Sequence, residues 1–431
     1  MTTTQPNTAK PTFSESLRSF QYRNYRLYWF SGLGQTGAQG IQQLAMAWLV
    51  LDLTDSAGQL GLVIFMQGIS MAGMALFGGV LVDRYNRKRL LMLSQFFTFA
   101  NLTALSVLTL VDLVAVWQLY IGAVGLGIMS AITLPARNSL IASIVSREDS
   151  LNAVALNAMQ MHVSRILFPT AAGIMIAVAG VGSALLLSAI ASLAGILLLM
   201  PVQVDASNIP QRRRSSAARE LVDGLQYTFA HPVIGRVMTL ALALSAFGLA
   251  FMSLGPGFAR EELEFSASTT GFFLMAAGIG SLVGALLMVV ANLKATVRLF
   301  VWSCAGFAFS LVALCVNPFA AVAFLCTAGF GYSSSVLSIA AQTIFQVEAK
   351  PHLLGRVTSL WSLGGGLAAI TALPIGIVGD LLSLRASLGF VSILLLLMCV
   401  IVGMGGTPLR WLGSKTYSPE FGDILEGEAA G

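Results

Sequence analysis

Gly79-Val80-Leu81-Val82-Asp83-Arg84-Tyr85-Asn86-Arg87-Lys88-Arg89 sets one acid and four bases between two long apolar runs, at about 58–82 and 90–111. Each run is near the roughly 20 residues that cross a bilayer core as a helix. The charges therefore mark a short turn at a membrane surface, and the flanking runs read as antiparallel neighbours.

Working outward, the same alternation recurs. Candidate spans lie at about 26–50, 58–82, 90–111, 115–136, 152–178, 182–203, 234–257, 269–291, 297–316, 319–341, 356–379 and 386–405. Of the 431 residues, 56% are hydrophobic and 10% are charged. A soluble domain carries about 25% charged residues, so this chain buries its surface in lipid. The 43 glycines fit helices that approach one another through small residues. The expectation is an all-α membrane protein of twelve transmembrane helices in two pseudo-symmetric six-helix bundles.

One connection is long. It contains Gln211-Arg212-Arg213-Arg214-Ser215-Ser216 and an amphipathic stretch, Arg219-Glu220-Leu221-Val222-Asp223-Gly224-Leu225. The organisation expected is a first half at 1–203, a linker with a surface helix at 204–232, a second half at 233–405 and a tail at 406–431. The connections Ser146–Val154 and Ala349–Val357 match at an offset of 203 (357 − 154), in keeping with six plus six.

Basic loops stay on the cytoplasmic side. One side holds Lys10, Arg18, Arg23, Arg26, Arg84, Arg87, Lys88, Arg89, Arg137, Arg147, the linker arginines, Arg236, Lys294, Arg298, Lys350, Arg356, Arg410 and Lys415. The other holds only Arg260 and Arg385. Both termini and the linker are expected in the cytoplasm, in a bacterial inner membrane. The first twenty residues show no short apolar core with a cleavage site, so the first span is expected to direct insertion.

Several function classes are set aside. The net charge of +5 is scattered over loops, which argues against nucleic-acid binding. Cys304, Cys315, Cys326 and Cys399 lie in apolar segments without C-x-x-C spacing and read as small hydrophobes. No metal and no cofactor is expected. There is no G-x-x-x-x-G-K-S/T loop, so ATP is not the direct energy source. His162, His231 and His352 are far apart, and no constellation suggests an enzyme.

The turn at 79–89 resembles the cytoplasmic loop signature of the major facilitator superfamily, G-x-x-x-D-R-x-G-R-R/K, departing at Asn86, where Gly is usual. Asn tolerates the left-handed conformation that such a turn needs. The resemblance implies a gate latch: Asp83 near the start of span eleven at Gly355-Arg356, with Arg137 as its partner. Gly79 would let spans two and eleven approach, and Arg84, Arg87 and Lys88 complete the motif. The alternative is that these bases only fix topology.

A second resemblance narrows the group. Asn24-Tyr25-Arg26-Leu27-Tyr28-Trp29, Trp48-Leu49-Val50-Leu51-Asp52-Leu53-Thr54, Pro135-Ala136-Arg137-Asn138, Leu151-Asn152-Ala153 and Arg165-Ile166-Leu167-Phe168-Pro169 look like the transmembrane secretion effectors. That branch includes the enterobactin exporter and macrolide efflux pumps. Phe168 stands where its members usually have Gly. The resemblance implies a monomeric secondary active exporter of a drug-like or siderophore-like small molecule, coupled to protons, with Asp83 and His162 as candidate carriers. Metabolite uptake or lysolipid transport by the same fold is the alternative.

An ionisable group at mid-membrane is a functional hypothesis by default. Arg165 lies halfway along span five, one turn after His162, and no Asp or Glu lies mid-span. His162 is either a cavity residue able to carry a proton near neutral pH or a polar packing histidine. Arg165 either faces a watery cavity and meets an anionic substrate or is held by neutral acceptors. Gln35, Gln39 and Gln42 share a face of span one, as Asn157, Gln160 and Ser164 do on span five. With Gln67, Tyr332 and Ser334 they are either cavity lining or interhelical glue. Met129, Met159, Met161 and Trp361 are candidates for soft or aromatic walls.

Overall fold

In lipid every backbone donor and acceptor must be satisfied within the chain, so apolar runs of this length become helices. The structure, a computed structural model, describes residues 18–146, 149–203, 225–291, 296–350 and 353–404. For 75–84, 142, 151, 289, 359, 362, 363, 403 and 404 it describes the backbone alone. Residues 204–224, with most of the expected linker, and the tail from 405 lie outside the described residues.

A 3-10 turn, Arg18–Gln21, precedes α1, Arg23–Thr54. Then follow α2, Ala57–Arg84; α3, Arg87–Leu110; and α4, Val116–Ile144. The helical run Ser150–Leu199 is two helices, α5 (150–179) and α6 (181–199), joined at Gly180. Gly180 has φ +81° and ψ 171°, a backbone conformation that L side chains rarely adopt. The second set is α7, Pro232–Glu261; α8, Ala267–Val290; α9, Val297–Val316; α10, Ala320–Glu348; α11, Leu354–Leu381; and α12, Leu384–Met404.

Among the described residues, ten helical runs are long and apolar enough to cross a membrane, and one of these, Asn152–Leu199, is 48 residues long, enough for two crossings. Glutamines lower the hydropathy of α1, the remaining long helix. The count is consistent with twelve.

The two sets pack alike. α2 lies on α4 and α8 on α10; α3 lies on α4 and α6, and α9 on α10 and α12; α1 packs on α5–α6 and α7 on α11. The most extensive contacts between the bundles are α2 with α11 and α5 with α8, with smaller ones from α7 to α1 and α2. Below, the terminal end is the one holding Arg23 and Met404, and the far end holds the α1–α2 and α11–α12 turns.

The turn that opens the sequence reading has a different basis from the one expected. Asn86 is extended (φ −63°, ψ 116°), not left-handed, and its side chain accepts from the Arg89 N–H. It is the N-cap of α3, a role for which Asn is well suited. At α5, the Phe168 ring lies over Gly37 of α1 and its Cβ against Gly40, so α1 gives up the volume that Phe168 occupies.

Candidate functional site

Between the bundles lies a cavity of about 550 Å³, walled by α1, α2, α3, α4, α5, α6, α7, α8, α10 and α11. Of the residues expected from sequence, Gln35, Gln39, Gln42, Gln67, Ser164, Arg165 and Ser334 line it. Asn157, Gln160, His162, Tyr332 and Trp361 do not. Trp361 packs edge-on to Phe345 at 5.9 Å, and Tyr332 lies against the apolar core. His162 Nδ1 is 3.4 Å from Ser281 Oγ across the α5–α8 contact. Among the methionines, Met161 lines the cavity, while Met129 lines an apolar groove between α3 and α4.

The wall also includes residues that sequence reasoning passed over: Thr36, Gln43, Gln95, Met46, Met71, Met252 and Phe330. Gln43 and Gln95 carry the signal that singled out Gln67, an amide deep in an apolar span. Gln95 is buried and donates to Gln35 Oε1 at 3.3 Å.

Arg165 is the cation of this wall, and among the described residues no carboxylate lines it. The residue lies about 22 Å along α5 from Ser150, at ~1.5 Å per residue, so it is far from either helix end. Its side chain is exposed to the cavity and makes no hydrogen bond or ion pair among the described residues. A guanidinium at this depth needs compensation by water or by an anion. The rest of the wall mixes amides, hydroxyls and thioethers with aliphatic side chains such as Leu60, Val63 and Ile64, which suits an amphipathic ligand that carries oxygen acceptors on an apolar body.

The gating residues divide differently. The side chains of Asp83 and Arg84 lie outside the described ones and Gly79 is described by its backbone alone, so the expected Asp83–Arg137 pairing is not in view. Arg137 is buried, and it donates to Gln35 Oε1, Asn157 Oδ1 and Gln160 Oε1, each at 3.2 Å. Its guanidinium stands 5.2 Å from the Tyr28 ring centroid. The face formed by Asn157 and Gln160 is thus turned to Arg137. Ser164 continues it to the cavity wall, through a 2.7 Å bond to Thr36.

Lys88 donates to the Met200 and Val202 carbonyls at 2.6 and 2.7 Å, and Arg87 reaches the Ser139 carbonyl at 3.5 Å. Two bases of the turn therefore sit on carbonyls near the ends of α6 and α4, where the helix dipole favours a cation. Gly355 has open space around it, and Arg356 is half-buried.

The bundles meet between mid-depth and the far end. There Gly58, Gly61 and Gly68 of α2 face α11, and Gly271 of α8 faces Pro169 of α5. Arg260 forms an ion pair with Asp52 and stands 5.2 Å from the Trp48 ring centroid. At the terminal end, Tyr25, Tyr28, Leu91, Leu140 and Leu156 belong to an apolar cluster made wholly of first-bundle residues. The described residues are closed across the far end and separate toward the terminal end.

A family model described as transmembrane secretion effector matches residues 14–412. The chain is similar to the enterobactin exporter EntS of Escherichia coli O1:K1 / APEC, at 26% identity over 372 residues covering 84% of this chain and 88% of that protein. The EntS of Shigella boydii serotype 18 gives 26% over 370 residues, with the same coverage of 84% and 88%. Among solved structures, the peptide transporter POT in complex with sulfate has a TM-score of 0.73 at 10% identity, covering 92% of this chain and 96% of that one. A bacterial homologue of the human lysosomal transporter Spinster, in an inward-facing and unoccupied conformation, has a TM-score of 0.70 at 14% identity, covering 95% and 100%. At these identities the structural likeness carries the fold alone.

Proposed function

Because this chain belongs to the transmembrane secretion effector family of the major facilitator superfamily, we propose that it is a secondary active exporter that moves a siderophore-like or drug-like small molecule out of the cytoplasm. The observation that carries the reading is the cavity between the bundles, with Arg165 in its wall and no described carboxylate beside it. Likeness to the enterobactin exporter over 84% of the chain supports export of an oxygen-rich ligand.

The proposed cycle is alternating access between the two bundles. The excess of Lys and Arg in the terminal-end loops supports placing that end in the cytoplasm of a bacterial cell. The cavity is then in its loading state, open toward the cytoplasm and closed at the far end. Arg165 receives an anionic or catecholate group, while the glutamine and serine side chains accept and donate around it. Protons are the proposed coupling ion, carried by Asp83 or His162, and the working unit is a monomer. On this reading the gating residues Gly79, Asp83, Arg84, Arg87, Lys88, Arg137, Gly355 and Arg356 bias conformations and touch no ligand.

Inside-out vesicles test the reading. With an acid-inside proton gradient, vesicles bearing the protein should accumulate enterobactin, and dissipating the gradient should stop it. Accumulation in right-side-out vesicles instead would replace export by uptake.

A further inference from the structure

The far-end contact between α2 and α11 is built around one carboxylate. Asp380, in the last turn of α11, accepts from the Gly58 N–H at 3.1 Å and from the Ser56 hydroxyl at 2.6 Å. Ser56 Oγ in turn accepts from the Gln59 N–H at 3.0 Å. An anion is therefore seated on the exposed donors at the start of α2, where the helix dipole favours it. The backbones around it touch. A Cβ on Gly58 would stand 2.6 Å from Asp380 Oδ2, and one on Gly61 would stand 2.7 Å from the Ala372 carbonyl. A Cβ on Gly376 would run into the Ala57 carbonyl.

The two helices carry one pattern. Both are 28 residues long, Ala57–Arg84 and Leu354–Leu381. At an offset of 297, Gly58 matches Gly355, Gly68 matches Gly365, Gly79 matches Gly376 and Asp83 matches Asp380. Gly376-Ile377-Val378-Gly379-Asp380 thus repeats the G-x-x-x-D of Gly79-Val80-Leu81-Val82-Asp83 on a helix that runs the other way. Inverted repeats nested within facilitator halves make such a relation between opposed helices natural. In this structure the far-end set is engaged, whereas among the described residues nothing stands within 4 Å of a Cβ on Gly355 or Gly365.

We propose that Asp380 and Gly376 form a second latch, the far-end counterpart of Gly79 and Asp83. The α2–α11 pair then closes at one end or the other, but not at both. With the far end shut, Asp380 holds the start of α2. With the terminal end shut, Asp83 holds the start of α11 at Gly355. The pair is the bistable element that alternating access requires, and the proposal rests on that reading of the cycle.

Electron–electron distance measurements in lipid nanodiscs, without ligand, test it. Spin labels on genetically encoded keto residues at Leu113 and Phe319 report the far end, and a pair at Met200 and Val290 reports the terminal end. Asp380→Ala should raise the ratio of far-end-open to far-end-closed molecules roughly five- to tenfold, about the weight of one charged helix cap. Asp380→Asn should do less, since its oxygen still accepts. Gly376→Leu, a steric wedge, should open the far end as well. Asp83→Asn should move the population the opposite way, and Asp83→Asn/Asp380→Ala should return it toward the original ratio. Far-end distances unchanged in both Asp380→Ala and Gly376→Leu would overturn the proposal. Loosening of both ends at once in Asp380→Ala would also overturn it, since that is general destabilisation. No substrate is present, so failure of the siderophore reading leaves this result intact.

Discussion

Phe168 of α5 fills the space that Gly37 of α1 leaves empty, and a Cβ on Gly37 would stand 2.6 Å from the Phe168 Cζ. The bulk lost at one helix has been taken up at the other. Gly37→Ala should therefore overpack the α1–α5 contact and destabilise by about 1–3 kcal/mol. In Gly37→Ala/Phe168→Leu, whose smaller side chain leaves room for the added methyl, thermal unfolding in detergent should show a loss clearly below the sum of the two single changes. Strict additivity of the two changes would show that the residues do not share this space.

Arg165 should discriminate by ligand charge. Arg165→Lys keeps the positive charge but loses the planar fork, so affinity for a catecholate ligand should fall about tenfold, with a smaller loss for a neutral one. Arg165→Ala should be worse for both. Equal losses for anionic and neutral ligands in equilibrium binding would mark Arg165 as structural.

Asp83→Asn should stop transport while leaving ligand binding within about twofold, because a latch biases states and touches no ligand. Paired transport and binding assays separate the outcomes. Lost binding with intact conformational exchange would make Asp83 a ligand-site residue.

Topology gives an independent check. A tag at Ser215 and one at the C-terminus should both report cytoplasm, and one near Glu262 should report the outside. Modification of the Ser215 tag by an impermeant external reagent would reverse the proposed direction of the cavity.

Asp149 links pH to the start of the chain. Its carboxylate accepts from the Tyr22 hydroxyl at 2.7 Å, Ser146 at 3.2 Å and Gln21 at 3.3 Å, and pairs with Arg18 at 3.1 Å. The Tyr22 hydrogen bond leads these groups in holding its carboxyl below the ordinary 3.8, with burial working against them. A lowered folded value means the anchorage is fully present above ~pH 4 and is lost as pH falls through that lower value. Hydrogen exchange of residues 18–22, corrected for intrinsic rates, should stay flat from neutral pH to ~pH 4 and rise below it. Asp149→Asn should show the faster exchange already at neutral pH.

The spans were legible because a bilayer imposes a length and an apolar content that short stretches of sequence report directly. The glutamine face of α1 was legible too, since Gln35, Gln39 and Gln42 share a helical side and all three reach the cavity. The same spacing on α5 did not say which way its face turns. Asn157 and Gln160 meet Arg137, because the rotation of a helix is set by its neighbours and not by its own period. Lys88 shows the same limit: its charge marks a membrane surface, but nothing local indicates that the end of α6 lies within reach. Asn86 has a local explanation that was missed, since a residue three before the Arg89 N–H is placed to cap α3.

The apolar cluster at the terminal end of the first bundle has a consequence in time. All its residues, from Tyr25 through Leu199 to Val202, precede the second bundle in the chain. At about 5–20 residues per second, the second bundle, whose last helix ends at Met404, is completed roughly ten to forty seconds after Val202. Helix packing is far faster than that. The first bundle can thus seal this end against lipid and water while its partner is still on the ribosome, and the second bundle then docks on a wall already built.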